Sequence, residues 1–112
     1  MIYTLDKIQE LAEGDEDFVL SVVSVFLEEV PVDLNALEEA LAQGNIEQIY
    51  KLAHKLKPNL DLMGMEPARV LALEIETMGK QNQAVEAIRP KFPLLKKDIE
   101  QAIQELQNDF SL

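Results

Sequence analysis

The most regular apolar spacing in the chain lies towards its C-terminus. Val85, Ile88, Phe92, Leu95, Ile99, Ala102 and Leu106 follow one another at steps of three and four residues, the spacing of one buried helical face. The phase survives Pro90 and Pro93, which predicts one kinked helix or two nearly collinear ones. Ile46, Ile49, Ala53, Leu56, Leu60 and Met63 repeat the pattern. Asn45 is placed to cap the start of that helix, and Gly64 to end it in a left-handed conformation. Between these two segments, Pro67 suits the first turn of a further helix with an apolar face of Leu71, Ile75 and Met78, stopped by Gly79.

The N-terminal part reads less cleanly. Leu5, Ile8 and Leu11 or Ala12 predict a short helix with Thr4 as N-cap and Gly14 as terminator. Asp15 then offers a second cap, with Glu16 and Asp17 placed where a helix dipole favours negative charge. The helix it opens would bury Phe18, Val22, Val25, Phe26, Val30, Leu34, Leu37 and Leu41 and end at Gly44. The β-branched run from Val19 to Val25 tolerates a strand reading, but the longer window and the helix formers from Glu38 to Ala42 favour helix. Pro31 should kink or briefly break it. Four long amphipathic helices joined by short turns, with a short helix in front, predict an all-α antiparallel four-helix bundle.

At 112 residues, 47% of them hydrophobic, the chain is read as one domain over residues 1–112, able to fold unaided. The absence of Cys removes disulfide and thiol chemistry. The N-terminus does not read as a signal peptide, and the longest apolar stretch, Phe18–Leu27, is too short to span a bilayer. No membrane association and a cytoplasmic location are therefore expected. Net charge is −11 and lies wholly in the first half: residues 1–50 carry twelve acids and one base, residues 51–112 nine of each. Such a chain would be repelled by a phosphate backbone, which argues against nucleic-acid binding. The acidic half reads most simply as a solvated surface.

One stretch departs from this acidic background. Ala53–Gly64 reads A-H-K-L-K-P-N-L-D-L-M-G and holds the chain's single histidine. At about 100° per residue, His54 falls roughly 130° from the middle of its helix's apolar stripe, so it points outward. Lys51, Lys55, Pro58 and Asp61 share that outer side, and Lys57 lies one turn along, nearer the boundary. A metal site would need further nitrogen, sulfur or converging carboxylate ligands, so no metal is expected. A solvated imidazole among ammonium groups suits a nucleophile that will carry an anion.

The same residues resemble a known family. A-H-x-L-K, followed by Met63 and Gly64, is similar to the motif of histidine-phosphotransfer (HPt) domains. Ala53, His54, Leu56, Lys57, Met63 and Gly64 match it position by position, and helix number and spacing extend the likeness over nearly the whole chain. The departure is Pro58, where the family usually has Gly. The resemblance implies an up-down-up-down bundle that carries a phosphoryl group on His54 between receiver-domain aspartates in two-component signalling. Its partners would be the receiver domains of response regulators or hybrid sensor kinases. The receiver supplies the aspartate and Mg²⁺, so this chain needs no cofactor and acts, as a monomer, as a stoichiometric carrier rather than an enzyme. Lys57 and Lys55 are candidates to pair with phosphate oxygens, and Lys51 to steer an acidic partner surface. Neither G-x-x-x-x-G-K-[ST] nor G-x-G-x-x-G occurs, so nucleotide binding is not expected. The nitrogen of Pro58 would face the carbonyl of His54, where it either kinks the helix at the phosphoacceptor or is absorbed by the bundle. Asp61 would reach the ring only through such a distortion. The alternative from another class is a module of the same fold that binds a receiver or other signalling partner without transferring phosphate.

Overall fold

The computed structural model describes residues 2–111, which form helices and, among the described residues, no strand. Helix α1 spans Asp6–Ala12, α2 Glu16–Gln43, α3 Ile46–Leu62 and α4 Glu66–Lys80. A four-residue turn of helix, α5 (Val85–Ile88), passes through a 3₁₀ turn at Arg89–Lys91 into α6, Phe92–Asp109. The bundle is elongated, 45 × 22 × 20 Å. No helix of the described residues is long and apolar enough to cross a membrane.

The turns between the long helices hold only a few residues, so successive helices run antiparallel. Asp15 Oδ1 accepts from Phe18 N–H at 3.2 Å and Asn45 Oδ1 from Gln48 N–H at 3.3 Å, so both predicted caps are made. Gly44 and Gly64 take the left-handed conformation (φ 68° and 63°). Thr4 instead stands one residue before the cap position, which Leu5 occupies; its hydroxyl accepts from Asp6 N–H at 3.2 Å.

The core stripes of α3 and α6 are the expected ones. Ile49, Ala53, Leu56, Leu60 and Met63 are buried on one, and Ile88, Phe92, Leu95, Ile99, Ala102 and Leu106 line the other. The proline-containing connection to α6 is a near-continuous helical path.

Three expectations are corrected. α2 runs unbroken through Pro31, because burial of Phe26, Val30, Leu34 and Leu37 on both sides of it holds the helix together. Its inward face is as expected from Phe26 to Leu41 but rotated in the first turns, where Val23 is buried and Phe18 and Val25 are exposed. Gly79 does not stop α4 but lies inside it, and the buried face of α4 is made by Ala68, Ala72, Ile75, Glu76 and Gly79. A Cβ on Gly79 would stand 2.7 Å from Cβ of Tyr50. Small residues on α4 thus let its backbone approach α3 closely, and α3–α4 is the most extensive helix pairing in the molecule.

The N-terminal segment is tied across one end of the bundle. Thr4 N–H donates to the Met63 carbonyl at 2.9 Å, and Ile2 N–H to Glu105 Oε1 at 3.1 Å. Tyr3 is buried and donates its hydroxyl to Asp109. Burial, then that bond to a carboxylate, pushes the phenol well above its ordinary range. Gly64 makes this strap possible, since a Cβ there would lie 2.0 Å from Cγ2 of Thr4.

Candidate functional site

His54 lies where the α3 stripe places it, with Ala53 and Leu56 buried beneath it and its own side chain 66% exposed. The exposed ring is nevertheless anchored. Its Nδ1 lies 2.5 Å from Oε2 of Glu76, a residue of α4 that is only 3% exposed. The close α3–α4 approach at Gly79 and Tyr50 is what brings Glu76, one turn earlier on α4, under the ring.

Glu76 gathers two further cations. Lys57 of α3 pairs with its Oε1, and Lys80, one turn along α4, reaches Oε2 at 3.2 Å. Burial by itself pushes the Glu76 carboxyl up, but hydrogen bonds from Lys57, Lys80 and His54 together outweigh it and hold the group below the usual carboxylate range. Glu76 is therefore an ionised acceptor. A carboxylate can only accept, so Nδ1 of His54 carries a proton, and in the neutral ring the lone pair then lies on Nε2.

The lysines singled out from the sequence are each held by an acid. Lys55 lies beside His54 on the outer face and donates to Oδ1 of Asp33 on α2 at 3.0 Å. That bond and the nearby negative charge raise its pKa. Asp33 is buried, and its Oδ2 has no hydrogen-bond partner. Lys51 pairs with Glu47 at 2.6 Å, one turn back on its own helix. Only Lys57 is brought to the histidine, through Glu76. Leu56 is core, Pro58 is exposed within an unbroken α3, and Gly64 meets Thr4 far from the ring. Asp61 pairs with Lys7 of α1 at 2.8 Å and does not turn towards His54. Among the described residues no three His, Cys, Asp or Glu side chains group to hold a metal ion.

Glu76 and Lys80 are the parts of the site that sequence reasoning missed. The available signal was an acid in phase with a buried stripe: Glu76 stands four residues after Ala72 and three before Gly79. An acid at such a position requires cationic partners.

Residues 21–109 match the family model described as Hpt domain. The chain belongs to the Hpt family. The matched region runs from the second turn of α2 to the end of α6, and so includes His54, Glu76, Lys57 and Lys80. The Hpt fold extends past it: a crystal structure of the HPT domain from the Hpt sensor hybrid histidine kinase from Shewanella superimposes with a TM-score of 0.85. That alignment covers 98% of this chain and 94% of the other at 20% identity. No curated protein matches the chain.

Proposed function

We propose that this Hpt chain is a phosphorelay intermediate that accepts a phosphoryl group on Nε2 of His54 from a receiver-domain aspartate and returns it to another. The observation that carries this reading is the pairing of an exposed imidazole with a buried carboxylate at Nδ1. That contact selects the tautomer whose nucleophilic nitrogen is Nε2.

In the forward step the Nε2 lone pair attacks the phosphorus of an aspartyl phosphate. The Nε2–P bond forms, the P–O bond to the aspartate breaks, and that carboxylate leaves with the electron pair. Nδ1 keeps its proton throughout, so the phosphorylated ring is cationic, and the Glu76 carboxylate is already in contact with the N–H that carries this charge. The reverse step regenerates His54 unchanged, which makes the chain a carrier rather than an enzyme. Phosphoryl transfer depends chiefly on alignment and on charge compensation at the equatorial oxygens. The receiver brings the aspartate and Mg²⁺. This chain, acting as a cytoplasmic monomer, brings the oriented imidazole and Lys57 one turn along. Lys55 and Lys51 add positive potential to the outer face, at a range limited by a Debye length of about 8 Å in physiological salt.

The test is to incubate the chain with receiver domains charged by a small phosphodonor and to assay the protein for acid-labile, base-stable phosphate. Label on the wild type and none on His54→Gln is the expected result. A wild type that stays unlabelled across a broad panel of receivers would refute the relay. Receiver binding without label would favour the interaction module instead.

A further inference from the structure

Glu76 is surrounded by more positive charge than it neutralises. With the ring uncharged, one carboxylate stands between the ammonium groups of Lys57 and Lys80, leaving one positive charge over in a chain whose net charge is −11. The two lysines differ in how firmly they are held. Lys57 is mostly covered, at 23% exposed, whereas Lys80 is 56% exposed and makes the longest of the three contacts to Glu76. The oxygen that Lys80 reaches is the one that holds Nδ1 of His54, so a single carboxylate oxygen stands between its ammonium and the ring. It also comes from α4, while Lys57 comes from α3, so the two cations approach the histidine from different helices.

We propose that Lys80 is a second phosphoryl-holding cation of this site. When Nε2 carries a phosphoryl group, Lys80 swings from Oε2 of Glu76 to a phosphoryl oxygen, while Glu76 keeps the Nδ1 proton and Lys57. This rests on the reading of His54 as the phosphoacceptor. A phosphoryl group brings roughly 1.5 to 2 negative charges, which turns the surplus cation into a needed one. A half-exposed lysine redirects its flexible four-carbon stem at little cost. The two α4 residues then have separate tasks: Glu76 orients the ring and Lys80 holds the group it carries.

Spontaneous loss of the phosphoryl group passes through a loose, metaphosphate-like transition state. The departing group then carries less charge on its oxygens than the bound dianion does. A cation in contact with those oxygens therefore holds the ground state more tightly than the transition state, and it slows hydrolysis.

The experiment charges the full chain with phosphoramidate, which needs no receiver. The P–N bond of the donor breaks, ammonia leaves with the electron pair, and the Nε2–P bond forms. After the donor is removed, ³¹P NMR follows the reverse cleavage. The electron pair returns to the ring, water oxygen bonds to phosphorus, and inorganic phosphate appears. Lys80→Met is expected to lose its phosphate about three- to tenfold faster than the wild type, and Lys80→Arg, which keeps the charge, within about twofold of it. Before phosphorylation the variants should melt like the wild type, and Lys80→Gln replaces the methionine variant if that one melts low. Equal lifetimes in wild type and Lys80→Met would overturn the role of Lys80 and leave the acceptor reading intact. So would an arginine variant as short-lived as the methionine one. A wild type that takes no label would overturn the acceptor reading itself, and this inference with it.

Discussion

Truncating Glu76 to alanine removes the acceptor for His54 Nδ1, Lys57 and Lys80 in one step. Hydrogen bonds to charged groups contribute about 1.5–3 kcal/mol when covered and well under 1 kcal/mol when exposed. Only Lys57, 23% exposed, is covered enough to count near the lower end of the first range; His54 and Lys80 are more than half exposed. Adding the lost packing of a buried side chain, the expected cost is about 2–3 kcal/mol, or roughly 8–15 °C in Tm. The effect on phosphoryl acceptance is separate. Without its anchor the ring rotates and samples the tautomer whose proton sits on Nε2, and the labelling rate should fall about tenfold, the low end of what partners of a functional imidazole contribute.

Glu76→Gln divides these effects. The amide oxygen still accepts from Nδ1–H, so labelling should stay within about threefold of wild type, whereas the lost charge loosens both lysines and lowers Tm by roughly half as much. The pH dependence follows from the lowered pKa of Glu76. The unfolded carboxyl titrates near 4.5 and the folded one below it. Its stabilisation is thus fully present above about pH 4.5 and is lost as the pH falls through the lower folded value. The gap in Tm between wild type and Glu76→Gln should be present at pH 5 and close as the pH falls below about 4.5. Thermal melts across this range and single-turnover labelling check both halves. Alanine and wild-type proteins that label at the same rate would show that Nδ1 is not what positions the ring.

Gly64→Ala should cost about 2–3 kcal/mol, from its positive φ and a Cβ only 2.0 Å from Thr4 Cγ2, with labelling unchanged; a Tm within 2 °C of wild type would contradict it. Gly79→Ala sets helix propensity, a gain of about 1 kcal/mol, against a Cβ 2.7 Å from Tyr50. Because the clash is backbone-proximal, the expectation is a net loss of about 1–3 kcal/mol together with slower labelling, as α4 carries Glu76 away from His54. A more stable, normally labelled variant would show that the α3–α4 spacing does not matter. Pro58→Ala restores the N–H that faces the His54 carbonyl in an unbroken α3, and should raise stability by about 1 kcal/mol with labelling within about twofold. A fall in labelling beyond fivefold would mean that the proline shapes the site.

The contrast between α3 and α4 shows what the sequence could and could not reveal. On α3 the large apolar residues Ile49, Leu56 and Leu60 mark the buried face and so place His54 opposite it. On α4 the buried face is Ala68, Ala72, Ile75, Glu76 and Gly79; of these only Ile75 stands out by hydropathy, so the expected stripe ran through Leu71 and Met78, which lie partly buried at its edge. The same happened on α2, where Phe18 and Val25 outweighed Val23. Size and hydropathy report which residues are able to fill a core. They do not report where two backbones come close enough to need glycine.

That omission is why half of the site went unseen. His54 and Lys57 lie on one helix, where a period of 3.6 residues fixes their relation. Glu76 and Lys80 join them only through the crossing of two helices, and the distance of that crossing is set by Gly79 against Tyr50. Reading Gly79 as a helix stop removed the one residue that brings α4 up to α3. Once Gly79 is placed inside the helix, a carboxylate four residues after Ala72 must be buried, and a buried carboxylate must find cations. The turn around His54 supplies one of them in Lys57, so the acid and the histidine are drawn to the same place by the same requirement.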